Sequence, residues 1–310
     1  MNVLVLPPFN AAQKTVLEAG APGATFVYSD YRSATDEQIA EADVIVGNLA
    51  PKRLDKASRL QLLQLNSAGY DNYAADGTLP CGARLCCAVG AYGQAVSEHM
   101  FAMVLAMIKR LPAYHADQLS HTWDDHGPVT SLRGARVLVL GTGDIGTHFA
   151  QLCQAMGASV TGIRRSAVGA RPPFDRMATM EQLYNELSRA DVVASFLPSD
   201  ATTRGLADKR FFSSMRAGSY FANGGRGDLV VSDDLIEALS CEHIAGAALD
   251  VTAPEPLPAD HPLWDAPGVL ITPHISGNFH LPVVLDNIAA IAAENLAHLI
   301  TGERLRNHVL

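Results

Sequence analysis

The sequence predicts an α/β protein of two domains, each built on a parallel sheet covered by helices. Three observations predict it. The chain has 310 residues, more than one compact domain usually holds. Short apolar strand candidates alternate with helical stretches from end to end, the rhythm of a sheet covered on both faces. A strand, a glycine turn and a helix, V-L-V-L-G-T-G-D-I-G from Val137, sit inside the second series of alternations.

The elements follow in order. M-N-V-L-V-L reads as a buried first strand; it lacks the basic start and cleavage region of a signal peptide. Strand candidates of the first series lie at 2–6, 25–28, 44–48 and 62–66. The second series runs 136–140, 159–163, 192–196, 220–223, 245–249 and 269–272, the count of a full nucleotide-binding sheet. Between them, 95–115 is expected to be one helix, starting near Ser97 and ending near Pro112. It is apolar on nearly every face and is therefore expected to be buried, between domains or at a subunit interface. A last apolar helix is expected over 282–300, ending at Thr301-Gly302.

Composition narrows the function. A formal charge of −9 argues against nucleic acid or an anionic membrane as partner, so any bound anion must be captured locally by arginines and backbone N–H groups. The longest apolar run, Met100 to Ile108, stops at Lys109-Arg110 and is too short to span a bilayer. The cysteines are Cys81, Cys86, Cys87, Cys153 and Cys241. The C-G-A-R-L-C-C cluster offers three thiols and no evident fourth ligand, so no metal is expected; reduced thiols in the cytoplasm are the simpler reading.

The glycine unit has defined chemistry. Gly141 permits the tight turn, Gly143 lets backbone approach a pyrophosphate, and Gly146 lets helix pack on strand. Asp144 and Ile145 open the helix, whose N-terminus adds N–H donors and a positive dipole for the phosphates. An acid usually follows the second strand, where it binds the ribose hydroxyls. Here Arg164, 21 residues beyond Gly143, is followed by Arg165 and Ser166. Two readings stand: charge-assisted binding of a 2′-phosphate, or a solvated basic loop end. The first makes NADP(H) the preferred cofactor, with NAD(H) possible.

Residues 218–277 carry three further motifs: N-x-x-R-G at Asn223 to Gly227, A-L-D-V with E-P-L from Ala248 to Leu257, and T-P-H-I-S-G at Thr272 to Gly277. In this order, after the glycine turn, they resemble the D-isomer-specific 2-hydroxyacid dehydrogenases, and particularly their glyoxylate and hydroxypyruvate reductases. The likeness extends to N-S-A-G-Y-D at Asn66 to Asp71 and to the terminal L-R-N-H-V.

The resemblance implies two Rossmann-like domains. Residues 1–95 and 281–310 would form a flavodoxin-like substrate domain, and 96–280 the doubly wound nucleotide-binding domain. His274 would be the general acid/base, Glu255 would stabilise its imidazolium and orient it, and Arg226 would hold the substrate carboxylate and polarise the ketone. Taken singly, these three read as a strand-end histidine, a loop carboxylate and a surface arginine; their coincidence in the motifs gives them roles. Ser67, Ala68 and Gly69 would offer backbone N–H groups to the substrate. Pro198, Thr203, Asn223 and Asp250 would border the cofactor, Asp250 at the nicotinamide carboxamide. His99 matches a family position and reads as structural.

Two departures stand out. Gly224-Gly225 replaces a common Thr-Ala or Thr-Ser, and Asp200 puts a carboxylate in the loop that borders the cofactor. The expected function is reduction of small 2-keto acids by NADPH in a cytoplasmic homodimer. The alternatives are an NAD enzyme working oxidatively and a dinucleotide-sensing, corepressor-like binding protein.

Overall fold

The computed structural model describes residues 1–75, 77–166, 169 and 171–310. In chain order its first elements are β1 (Asn2–Val5), α1 (Ala11–Ala19), β2 (Thr25–Tyr28), α2 (Asp36–Glu41), β3 (Val44–Val46), β4 (Leu62–Gln64) and β5 (Arg84–Cys86). Next come α3 (Gly93–Ile108), α4 (Leu111–Ser120), β6 (Arg136–Leu140), α5 (Asp144–Ala155), β7 (Ser159–Arg164) and β8 (Arg176–Thr179). The rest are α6 (Leu183–Leu187), β9 (Val192–Ser195), α7 (Lys209–Ser214), β10 (Tyr220–Asn223), α8 (Ser232–Ser240), β11 (Gly246–Leu249), β12 (Val269–Ile271) and α9 (Pro282–Thr301).

The chain divides into two units, residues 1–92 with 279–310, and residues 93–278. In the first, five parallel strands run β2-β1-β3-β4-β5, the flavodoxin-like order. Leu4, Leu6, Ile45, Leu63 and Leu85 form its core with Ile39 and Leu54. Capping boxes at Asn10/Gln13 and Thr35/Gln38 satisfy orphan N–H groups at the starts of α1 and α2. β5, R-L-C, escapes a sequence reading because it lies inside the cysteine cluster C-G-A-R-L-C-C and carries one large aliphatic residue. Its free edge is covered by the chain's end, where Leu85 N donates to Leu310 O and Val309 N to Leu85 O, both at 2.8 Å.

α9 is long and apolar enough to cross a membrane by length and composition, although Asp286 and Glu294 interrupt its apolar run. It packs on α1 and buries Val284, Ile288, Ile291 and Leu296. Its buried Asn295 donates to Gln64 Oε1 at 2.6 Å and to Arg306 O at 3.0 Å, and accepts from Arg306 N at 2.7 Å. Those bonds are the marks of a core helix.

The second unit holds seven parallel strands in the order β12-β11-β10-β9-β6-β7-β8, a doubly wound sheet reversing direction between β6 and β9. β8, R-M-A-T, is a half-exposed edge strand with no apolar run to announce it. One face of the core centres on Phe211, Phe212 and Phe221, packed edge to face.

The single helix expected over 95–115 is two. α3 ends at Ile108, Arg110 takes a left-handed φ of 55°, and α4 begins at Leu111 with Pro112 in its first turn. Pro112 lacks an N–H and suits a helix start better than a helix end. Ser97 lies inside α3, where its hydroxyl donates to Gln94 O at 3.1 Å. α3 packs on α5, β10 and β11 of its own unit.

All five cysteines are free thiols. Cys86, Cys87 and Cys153 are buried, and burial pushes the Cys86 and Cys153 thiols up to about 12.

α5 meets the sheet closely at Gly146, where a Cβ would lie 2.0 Å from Gly141 O, whereas a Cβ at Gly143 would meet nothing within 4 Å. Gly146→Ala is therefore expected to lose about 1–3 kcal/mol of stability. Gly143→Ala changes only an N-cap and is expected to lose less than about 1 kcal/mol. Urea unfolding midpoints measure both; equal midpoints would contradict the close approach of α5.

Candidate active site

Six parallel strands of the second unit end at one edge, and the loops leaving that edge carry the site residues. Gly141–Gly143 follows β6, Arg165 and Ser166 follow β7, and Pro198–Thr203 follows β9. Arg226 follows β10, Asp250 and Glu255 follow β11, and Thr272 and His274 follow β12.

A cleft of about 680 Å³ lies along this edge, lined by Gly141, Gly143, Asp144, Arg164, Arg165 and Ser166 on one side of the turn and by Pro198, Asp200 and Thr203 on the other. Gly141 holds a φ of 90°, which turns the chain from β6 into α5. Beyond the expected residues, Arg171, His148, Met180 and Thr202 also line the cleft. Arg171 offered a basic residue seven positions beyond Arg164 as its only sequence signal. Gly146 and Ile145 shape the start of α5, with Gly146 buried and Ile145 half-buried.

The loop after β9 is tied together internally. Thr203 is buried; its hydroxyl donates to Pro198 O at 2.7 Å and accepts from Asp200 N at 2.8 Å. Its side chain thus shapes the loop and does not point outward. Asp200 Oδ1 accepts from Thr202 N at 2.8 Å and Thr202 Oγ1 at 2.6 Å. The hydroxyl bond chiefly holds the Asp200 carboxyl below its ordinary range, with a smaller contribution from the charge of Arg165. Asp200 and Arg165 both line the cleft.

His274 stands on the loop after β12 at a left-handed φ of 49°. That conformation costs a residue with a Cβ about 1–2 kcal/mol. The His274 N–H, which donates to Asp250 O at 2.7 Å and Thr272 O at 3.0 Å, offsets part of that cost. His274 Nδ1 lies 2.8 Å from Glu255 Oε2, and Glu255 Oε1 accepts from Thr252 N at 3.0 Å. A carboxylate at that distance makes Nδ1 the protonated ring nitrogen and turns Nε2 outward. The ring stays half-exposed, so it can reach a reactant.

Asp250 and Asn223, both expected at the cofactor, are enclosed. Asp250 is 1% exposed, and its carboxylate accepts from Thr272 Oγ1 at 2.6 Å, Ile275 N at 3.0 Å, Ser276 N at 3.2 Å and the Ser276 hydroxyl. Every donor comes from the loop that carries His274. Asn223 donates to Arg226 O at 2.8 Å and accepts from Gly225 N at 3.1 Å, closing the turn that presents Arg226. Both side chains therefore build the loops of the reactive groups.

Arg226 Nη1 donates to Gly225 O at 2.8 Å, and the side chain is half-buried. The glycine replacement at 225 has a reason: a Cβ there would lie 2.6 Å from Leu197 O. At Gly227 a Cβ would lie 1.9 Å from Thr252 O, so the Arg226 turn packs directly on the loop that holds Glu255.

In the first unit, the turn Ser67-Ala68-Gly69 follows β4. Ser67 Oγ donates to Gly69 O at 2.6 Å, and Ser67 O accepts from Ala88 N at 2.8 Å. Asn66 anchors the turn by accepting from Asn48 N at 2.7 Å and Tyr31 Oη at 3.1 Å. Among the described residues, no acceptor engages the N–H of Ala68 or Gly69.

The described residues contain no group of three or more His, Cys, Asp or Glu side chains suited to a metal. The chain resembles a D-isomer specific 2-hydroxyacid dehydrogenase family protein from Aeromonas salmonicida, at 32% identity and a TM-score of 0.88, over 100% of this chain and 98% of that one. It also resembles an NADPH-dependent glyoxylate/hydroxypyruvate reductase from Sinorhizobium meliloti solved with NADP and sulfate, at 25% identity and a TM-score of 0.82, over 99% and 98% of the two chains. A glyoxylate/hydroxypyruvate reductase A from Citrobacter koseri is 32% identical over 70% of this chain and 68% of its own. Residues 101–276 match the model for the D-isomer specific 2-hydroxyacid dehydrogenase NAD binding domain. The chain belongs to the D-isomer specific 2-hydroxyacid dehydrogenases, a family of NAD(P)-dependent oxidoreductases.

Proposed function

We propose that the protein is an NADPH-preferring reductase that converts small 2-keto acids, of the glyoxylate or hydroxypyruvate kind, to D-2-hydroxy acids. The 2.8 Å pair between His274 Nδ1 and Glu255 Oε2, on the same sheet edge as an arginine-lined cleft, carries this reading. The reductase names of the Citrobacter and Sinorhizobium relatives support the substrate class.

The cleft suits a phosphorylated dinucleotide. Gly143 leaves its backbone open to a pyrophosphate, and α5 directs its N-terminus there. Arg164 and Arg165, with Ser166 and Arg171 beside them, occupy the position where an acid would repel a 2′-phosphate. When bound, the reduced nicotinamide supplies a hydride to the carbonyl carbon.

The chain's own residues do the rest. His274 donates its Nδ1–H to Glu255 and keeps that proton, and Nε2 carries the second proton, which passes to the carbonyl oxygen as the alcohol forms. Glu255 stabilises the imidazolium before transfer and holds the ring's orientation throughout. Arg226 binds the substrate carboxylate through its planar fork and draws electron density from the ketone. In the first unit, the N–H groups of Ala68 and Gly69 are proposed as carboxylate donors, with Ser67 holding the turn. Asn223 and Asp250 keep Arg226 and His274 in place, and Pro198 and Thr203 shape the cleft wall. A cytoplasmic homodimer is the proposed setting. Exposed apolar side chains on α4 and the segment after it, Leu111, Leu119, Val129 and the 99% exposed Trp123, support association with a second copy.

His274→Ala is expected to lower kcat by at least roughly 10³-fold while NADPH still binds, as measured by steady-state rates and by quenching of protein fluorescence. A near-normal rate would rule out the proton-transfer role. Replacing Arg164 and Arg165 together by Gln removes two charge-assisted contacts and is expected to cost roughly 10²- to 10³-fold in kcat/KM for NADPH. The value for NADH should hardly change, and an equal loss for both would remove the 2′-phosphate assignment. Glu255→Gln takes away the carboxylate that holds the ring and is expected to lower kcat roughly 10- to 100-fold with NADPH binding kept; a wild-type rate would uncouple the pair.

A further inference from the structure

α3 brings His99 behind the loop that carries His274. His99 Nε2 lies 3.0 Å from Thr272 Oγ1, and Thr272 Oγ1 lies 2.6 Å from Asp250 Oδ1. His99 Nε2 is itself 3.8 Å from the same carboxylate oxygen. Hydrogen counting orders this chain. A hydroxyl has one hydrogen, and the carboxylate, which has none, can only accept. Thr272 therefore donates to Asp250, and the bond from His99 runs from Nε2–H to the threonine oxygen.

Met103 Sδ, also on α3, lies 3.6 Å from Thr272 Oγ1, and a thioether at that distance does not compete with a carboxylate at 2.6 Å. His99 braces the threonine oxygen from the α3 side: Nε2–H donates to it while its own hydrogen goes to Asp250, so the oxygen is held between the two. The carboxylate then keeps four donors, Thr272 Oγ1, Ile275 N, Ser276 N and the Ser276 hydroxyl, while Asp250 O holds the His274 N–H at 2.7 Å.

We propose that His99 and Thr272 are positioning residues, which hold His274 in its left-handed conformation through Asp250. The proposal rests on the reading of His274 as proton donor. His99 does not line the cleft; it acts on the rate by fixing the loop. A hydrogen-bond chain of this kind strengthens each member, and an internal carboxylate with all its donors leaves the loop a single geometry. Misplacing a reacting atom by about 1 Å can cost roughly 100-fold in rate, so the loop's geometry is a kinetic quantity.

The test compares His99→Leu, His99→Gln, Thr272→Val and Thr272→Ser in the full chain, with glyoxylate and hydroxypyruvate as substrates. His99→Leu and Thr272→Val are each expected to lower kcat roughly 10- to 100-fold. The dissociation constant for NADPH should stay within about 2-fold, because none of these side chains lines the cleft. His99→Gln keeps an N–H donor and Thr272→Ser keeps the hydroxyl, so both should recover most of the rate. The double variant His99→Leu/Thr272→Val should be no slower than the worse single one, since both break one chain. Hydrogen exchange at the Ile275 and Ser276 amides should quicken in the Leu and Val variants, a change visible without turnover. Where His99→Leu does not fold, the two Thr272 variants carry the comparison.

A wild-type kcat in His99→Leu or Thr272→Val overturns the inference, as does His99→Gln being as slow as His99→Leu, or a loss confined to NADPH binding. Failure of the underlying reading looks different. There, the wild-type chain reduces no keto acid, or His274→Ala retains full activity, and the positioning role falls with it.

Discussion

Every strand pairing in the sheet of residues 93–278 is parallel, so the carboxyl ends of β6, β7, β9, β10, β11 and β12 share one edge. Residues scattered from 141 to 274 thereby gather at one edge. Arg226, Asp250 and His274 each stand within three residues of the end of a strand of the buried sheet, so each reactive loop starts from a fixed strand end. An antiparallel pair would send alternate loops to the opposite edge. The same geometry explains why close backbone approaches recur here: α5 at Gly146 and the Arg226 turn at Gly227 both rest directly on backbone oxygen.

Local chemistry runs against the chain's overall charge. The molecule is formally −9, yet the far end of the cleft gathers Arg164, Arg165 and Arg171. Asp200, held in its charged form by Thr202, answers part of that positive charge from the opposite loop. The carboxylates of the other half are used differently. Glu255 faces a half-exposed imidazole, while Asp250 is enclosed and spends its acceptor capacity on one loop. Two acids from the same segment thus have separate tasks, set by burial and by the donors around them.

How far the fold was legible depended on the length of each signal. The apolar strands V-L-V-L, V-V-A-S and G-A-A-L announced the nucleotide-type sheet, and the glycine turn announced where its first helix begins. β5 and β8 gave too little pattern, because each is a short edge strand and R-L-C and R-M-A-T carry few large apolar residues. The break at Arg110 was hidden because Pro112 reads equally as a helix end or a helix start, and only the backbone decides. In the site, residue types and motif order indicated which loops matter. They did not indicate which way a side chain turns. Thr203, Asn223 and Asp250 face inward to hydrogen bonds with neighbouring backbone, and sequence spacing carries no information about that choice.

The thiols divide unevenly between the two units. Cys86 and Cys87 are sealed in the first and Cys153 in the second, while Cys81 and Cys241 are exposed. Thiolate is the reactive form, so enclosed thiols with raised pKa values stay inert to alkylating reagents while their unit remains closed. The folded chain therefore presents two thiols to such a reagent, and each unit adds its own when it opens. Mass increments located by peptide would show which half of the molecule loosens first, so the cysteines serve as a built-in clock for the order of unfolding.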